Sequence, residues 1–136
     1  GDIPFLKQVF ACMKAFIIDR EDLKQSMQVI VNVIREVRAG RNYLIFAEGT
    51  RSKSGNHPGT FKGGSFKTAT KTKCPIVPVA LIDSFKAFDT GSTEKITVQV
   101  HILPPMYYEE YKDMHTTEIA EEVKRRIEKV IEENTI

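Results

Sequence analysis

The stretch Tyr43-Leu44-Ile45-Phe46-Ala47-Glu48-Gly49-Thr50-Arg51-Ser52 begins as an apolar run and opens abruptly into a polar turn. Four apolar residues in a row fit a buried strand, and the turn that follows predicts a loop at the edge of a sheet, where α/β proteins place their chemistry. On its N-terminal side, Asp22 and Gln25 have capping-box spacing, and Leu23, Met27, Ile30, Val31 and Ile34 share one helical face before Gly40. Ala15-Phe16-Ile17-Ile18 is short enough for a strand, so residues 15–46 predict a strand–helix–strand unit. Its two strand ends, Asp19-Arg20 and Glu48-Gly49-Thr50-Arg51, would then open on one edge. Upstream, Pro4 and the apolar residues to Met13 predict a short helix.

Downstream, residues 52–60 are loop-forming, and Ser65 to Thr72 predicts a modest helix. Residues 74–81 predict a third buried strand despite Pro75 and Pro78. Residues 85–93 read as loop. Ile96, Val98, Val100 and Ile102 alternate with polar residues, which predicts a half-exposed strand with the apolar set inward. A long helix is expected from Thr116 to Glu133, with Ile119, Ala120, Val123, Ile127, Val130 and Ile131 on its apolar face. Together these elements predict one α/β domain over residues 1–136, with a central, mostly parallel or mixed sheet flanked by helices.

Composition narrows the function. The 136 residues carry a formal charge of only +2, far from the cationic excess of a nucleic-acid-binding protein. No apolar run is long enough for a transmembrane helix, so membrane contact is expected to be peripheral. Cys12 and Cys74 lie among apolar residues, which fits reduced thiols and a cytosolic setting. A local cationic bias follows Arg51, because Lys53, Lys62, Lys67, Lys71 and Lys73 precede the next acid, Asp83. It predicts either a solvated face or an anion-facing one.

Arg20 and Arg51 each follow a predicted strand, and two guanidinium groups at one edge would make a multidentate phosphate clamp. The competing reading is that Asp19 and Glu48 pair with them as surface ion pairs. For Glu48, a supporting role beside Arg51 or a contact to a substrate hydroxyl is preferred over general base. Ser52 has no nucleophile-elbow context and reads as a turn residue. Residues 59–64 match neither a Walker A loop nor a dinucleotide fingerprint. His57, His101 and His115 show no metal-ligand spacing, so no metal is expected.

These stretches resemble the glycerolipid acyltransferases, specifically the lysophosphatidate acyltransferases. Phe16-Ile17-Ile18-Asp19-Arg20 looks like the family's second motif block, Phe46 to Ser52 is similar to the third, and Ile76-Val77-Pro78-Val79-Ala80 looks like the fourth. Phe61-Lys62-Gly63-Gly64 resembles the segment between the last two. The resemblance implies transfer of an acyl chain from acyl-CoA or acyl carrier protein to lysophosphatidate, at the cytoplasmic face of a membrane, with no cofactor and no nucleic-acid partner. It also implies that Arg20, Glu48, Gly49, Thr50 and Arg51 bind the glycerophosphate head group, with Ser52 and Lys62 in support and Pro78 shaping the acyl-donor side. Other lysophospholipids or glycerol 3-phosphate remain alternative acceptors. A non-catalytic module for phosphate or anionic lipid is the alternative of another class.

Two features depart from the family pattern. Lys14 stands where the second block opens with glycine. The first block, His-x-x-x-x-Asp, is absent, because Lys62, Met106 and Ala120 lie five residues after the three histidines. The dyad is therefore expected upstream of Gly1, in a domain truncated at its N-terminus, and the 136-residue chain is expected to be inactive alone.

Overall fold

A computed structural model describes residues 4–16, 22–89, 91 and 95–135. The chain divides into two compact units, Gly1–Tyr43 and Leu44–Ile136.

The first unit contains α1 (Pro4–Cys12) and α2 (Leu23–Arg38). The Asp22 carboxylate caps α2 by accepting the N–H groups of Lys24 and Gln25 at 2.9 and 3.0 Å. Gly40, with φ +88°, follows the last turn as the sequence predicts. The buried stripe is rotated from the expected one: Val29 and Val33 are buried, whereas Met27 and Val31 are exposed. Val29 and Val33 are four residues apart and so share a face. Lys14 has φ +49°, in the left-handed region where glycine is free of Cβ strain. That conformation gives a physical reason for a glycine preference at this position. The ring of Phe16 stacks on Tyr43 with centroids 5.9 Å apart. The rest of the expected first strand, Ile17 and Ile18, lies outside the described residues, as do Asp19 and Arg20.

In the second unit, a 3₁₀ turn (Gly63–Phe66) leads directly into α3 (Lys67–Thr72). β1 (Val79–Ile82) pairs antiparallel with β2 (Gln99–Ile102), placing Ala80 opposite His101 and Leu81 opposite Val100. Between the strands lies α4 (Lys86–Asp89), a short helix where the sequence predicts only loop. α5 (Tyr108–Tyr111) and α6 (Thr116–Asn134) complete the unit. Pairing continues past Pro78, whose carbonyl accepts the Leu103 N–H at 3.0 Å, to a bridge between Ile76 and Met106. The prolines shorten the strand but leave their carbonyls available as acceptors.

α6 covers one face of the sheet with Ile119, Ala120, Val123, Ile127 and Ile131, packed against Ala80, Ile82, Leu103, Met106, Phe66 and Ala69. Tyr111 is fully buried, and its hydroxyl donates to the carbonyls of Ala69 and Cys74, joining α5 to α3 and to the entrance of the sheet. Burial raises its pKa to about 12.

Among the described residues the sheet is antiparallel and two-stranded, and the central, mostly parallel or mixed sheet expected from the sequence is not shown there. Two expectations are corrected. Residues 43–46 are not a buried strand: Leu44 and Phe46 are 73% and 71% exposed. An extended run becomes a strand only when a neighbouring backbone takes its N–H and C=O groups, which hydrophobicity alone does not provide. β2 is turned over relative to its pattern. Gln99 and His101 are half-buried, while Val100 and Ile102 are 60% and 75% exposed. The His101 ring is 3.0 Å from the Gln99 side-chain oxygen, a mutual hydrogen bond that reduces the cost of covering both polar groups.

Candidate functional site

The polar turn after Phe46 is built by local hydrogen bonds. The Gly49 N–H donates to the Phe46 carbonyl at 3.0 Å, and Gly49 has φ +63°, a conformation costly for residues with a Cβ. The chain leaves through Thr50 and Arg51, both exposed, and returns through Gly59 to Lys62. Two bonds close this excursion. The Lys62 N–H donates to the Ala47 carbonyl at 2.8 Å, and the Gly59 N–H donates to Glu48 Oε2 at 2.9 Å.

The tip is also fixed. Ser52 Oγ donates to the His57 carbonyl at 3.3 Å, and the Ser54 N–H lies 3.3 Å from the same Oγ. Asn56 donates through Nδ2 to Asp83 Oδ1 at 3.0 Å and accepts the Asp83 N–H at 2.7 Å. The Lys86 ammonium, 2.9 Å from Asp83, and the Asn56 amide together hold the Asp83 carboxyl below the usual carboxylate range. A loop of glycines, serines and lysines is thereby held at its base and at its tip.

The structure thus brings Glu48, Gly49 and Lys62 together; a Cβ built on Gly49 would lie 3.8 Å from the Lys62 Cγ. Thr50 and Arg51 extend from the same turn. Ser52 braces the tip, as a turn residue would. Pro78 is buried in the sheet pairing, so any influence on a ligand passes through β1 rather than through contact. Arg20 lies outside the described residues. Among those described, Arg51 has no ion-pair partner, and the Glu48 carboxylate is bound to a backbone amide instead. The reading of Glu48 and Arg51 as a simple surface ion pair is therefore not what the structure contains.

Sequence reasoning missed Gly59 and the Asn56–Asp83 pair. Nothing local in the sequence marks residue 59 as the donor to Glu48, since the partners are eleven positions apart and joined through a loop. A shallow, open groove of about 320 Å³ adjoins the base of the loop, lined by Thr60, Phe61, Thr117, Ala120, Glu121 and Lys124. Among the described residues, no group of three His, Cys, Asp or Glu side chains is placed to hold a metal ion. No described helix is long and apolar enough to cross a membrane.

Residues 1–82 match the sequence profile of the family described as Acyltransferase. The chain belongs to the acyltransferase family. The matched span contains α2, the Glu48–Arg51 turn and the whole anchored loop. The chain is 30% identical over 134 residues to a 1-acyl-sn-glycerol-3-phosphate acyltransferase of Borreliella burgdorferi, covering 94% of this chain and 53% of that protein. It is 28% identical over 132 residues to the enzyme of the same name from Escherichia coli K12, covering 96% of this chain and 54% of that protein. A chloroplastic 1-acyl-sn-glycerol-3-phosphate acyltransferase from Brassica napus is 33% identical over 108 residues, 77% of this chain and 31% of its own. The chain thus spans about half the length of the bacterial relatives it matches. No solved structure matches it.

Proposed function

We propose that this acyltransferase chain supplies the acceptor-binding part of a lysophosphatidate acyltransferase. The observation that carries the reading is the turn Glu48–Arg51, held by its own backbone with Arg51 exposed and unpaired among the described residues. The exposed Arg51 guanidinium offers a phosphate monoester a fork of charge-assisted hydrogen bonds. Lys62 adds a point charge from the returning limb of the loop, Glu48 and Ser52 hold the loop in shape, and Arg20, which the resemblance also implies as a phosphate ligand, lies outside the described residues. The names of the relatives support a 1-acyl-glycerol 3-phosphate as acceptor, and acyl-CoA or acyl carrier protein is the acyl donor.

The reaction requires a base to take the proton of the acceptor hydroxyl as its oxygen attacks the thioester carbonyl, with the thiol leaving. A His-x-x-x-x-Asp pair outside residues 1–136 fills that role. Because the acceptor is an amphiphile, the protein works at a membrane surface, on the cytoplasmic face.

The test is coenzyme A release from acyl-CoA with lysophosphatidate as acceptor. Residues 1–136 alone are expected to stay near background, because removing a general base costs about 10²–10⁴-fold. Steady phosphatidate formation by this chain would overturn the assignment of the base. The alternative of another class is a module that binds phosphate or anionic lipid without catalysis. That reading predicts head-group binding with no coenzyme A release from any version of the protein.

A further inference from the structure

Glu48 and Arg51 are three residues apart, close enough in a turn for the carboxylate to neutralise the guanidinium that must bind an anion. The carboxylate is instead 2.9 Å from the Gly59 amide, on the returning limb of the loop. Among the described glycines the approach is tightest at position 59: a Cβ built there would lie 2.9 Å from Glu48 Oε2, so the end of the flexible glutamate side chain would have to move aside. The carboxylate thus occupies the space that the absence of a side chain at residue 59 leaves open. Among the described residues no other hydrogen bond to Glu48 is present, and it has no ion pair.

We propose that Gly59 is a positioning residue for the anion site: its amide and its missing Cβ hold the Glu48 carboxylate away from Arg51, leaving that guanidinium available to a phosphate monoester. This inference rests on the reading of Arg51 as a phosphate ligand. Glu48 then acts as a clasp and touches no substrate. The arrangement separates the two charges and closes the loop with one bond. A side chain at residue 59 displaces the carboxylate while leaving every charge in place.

The test is a titration of the 136-residue chain with sn-glycerol 3-phosphate, followed residue by residue through backbone amide NMR. Gly59→Ala is expected to weaken binding about three- to tenfold, the effect of one hydrogen bond of ordinary net strength. Glu48→Gln and Glu48→Ala, which leave no carboxylate to neutralise Arg51, are each expected to bind more tightly than Gly59→Ala. In Glu48→Ala the Gly59 amide proton is expected to lose its downfield shift and its exchange protection. Binding by Gly59→Ala equal to the unaltered chain, with Arg51→Ala non-binding, would overturn the positioning role alone. A Gly59 amide unmoved in Glu48→Ala would overturn the clasp. Full binding by Arg51→Ala would instead remove the phosphate reading beneath both, and the Gly59 amide would still report the clasp separately.

Discussion

Asn56 and Asp83 hold each other through two hydrogen bonds, one from the Asn56 amide to the Asp83 carboxylate and one from the Asp83 N–H to the Asn56 carbonyl oxygen. They are 27 residues apart, and Asp83 takes a left-handed conformation with φ +63° at the end of β1. The pair joins the tip of the Arg51 loop to the sheet, so the loop inherits the rigidity of the core.

Asn56→Ala removes both bonds and leaves a partly buried Asp83 N–H without its acceptor. A loss of about 1–2 kcal/mol is expected on denaturant unfolding, together with faster hydrogen exchange at the Asp83 amide. Unchanged stability and exchange would show that the tip is not anchored there.

Tyr111→Phe removes the hydroxyl of a fully buried side chain; the Ala69 carbonyl keeps the Lys73 N–H at 2.7 Å, whereas the part-buried bond to the Cys74 carbonyl is lost. The expected cost is about 1–3 kcal/mol. The native tyrosine also predicts a pH effect. Its pKa is raised from 10.0 to about 12 in the folded chain, so the unfolded chain loses its phenolic proton first. The unfolded form binds fewer protons in that interval, and stability must fall as pH rises from 10 towards about 12. Comparing unfolding free energies of Tyr111→Phe and the unaltered chain over that range isolates the contribution, and parallel curves would contradict it.

Lys14→Gly is expected to stabilise the first unit. The lysine sits at φ +49°, where a Cβ costs about 1 kcal/mol. Its ammonium is 3.5 Å from the buried Oε2 of Glu36, and the loss of that contact offsets part of the gain. Arg41 keeps Glu36 paired at 2.7 Å after the change. A rise of a few tenths of a kcal/mol up to about 1 kcal/mol in unfolding free energy is expected, and a loss would contradict the backbone argument.

Val100 and Ile102 lie on the open face of the sheet, so Val100→Thr and Ile102→Thr are each expected to change stability by no more than about 0.5 kcal/mol. Burial as the alternating pattern suggests would make the same changes cost about 1–3 kcal/mol. Denaturation of the two variants therefore decides which face of β2 is covered.

The helices were the most legible part of the fold. α2 begins at its Asp22 cap, and α6 runs from Thr116 to within one residue of its expected end. Their signals are local, since caps and a repeating apolar stripe act within a few turns. Strand behaviour was less legible, because it depends on partners distant in sequence. Residues 43–46 have the composition of a buried strand but no neighbour to pair with among the described residues, and alternation in β2 did not indicate which face α6 would cover. The site divides in the same way. The Glu-Gly-Thr-Arg motif identified the turn and the family. The Glu48–Gly59 contact and the Asn56–Asp83 pair required the loop to be folded before they were visible.

The central claim is that the Glu48–Arg51 turn receives the phosphate of the acyl acceptor. The most direct measurement maps backbone amide shifts of the 136-residue chain during titration with sn-glycerol 3-phosphate, and again with glycerol. The account predicts saturable shifts centred on Gly49, Thr50 and Arg51 with the phosphate ester, none with glycerol, and their loss in Arg51→Ala. Shifts that avoid this turn, or that are the same for both compounds, would contradict it.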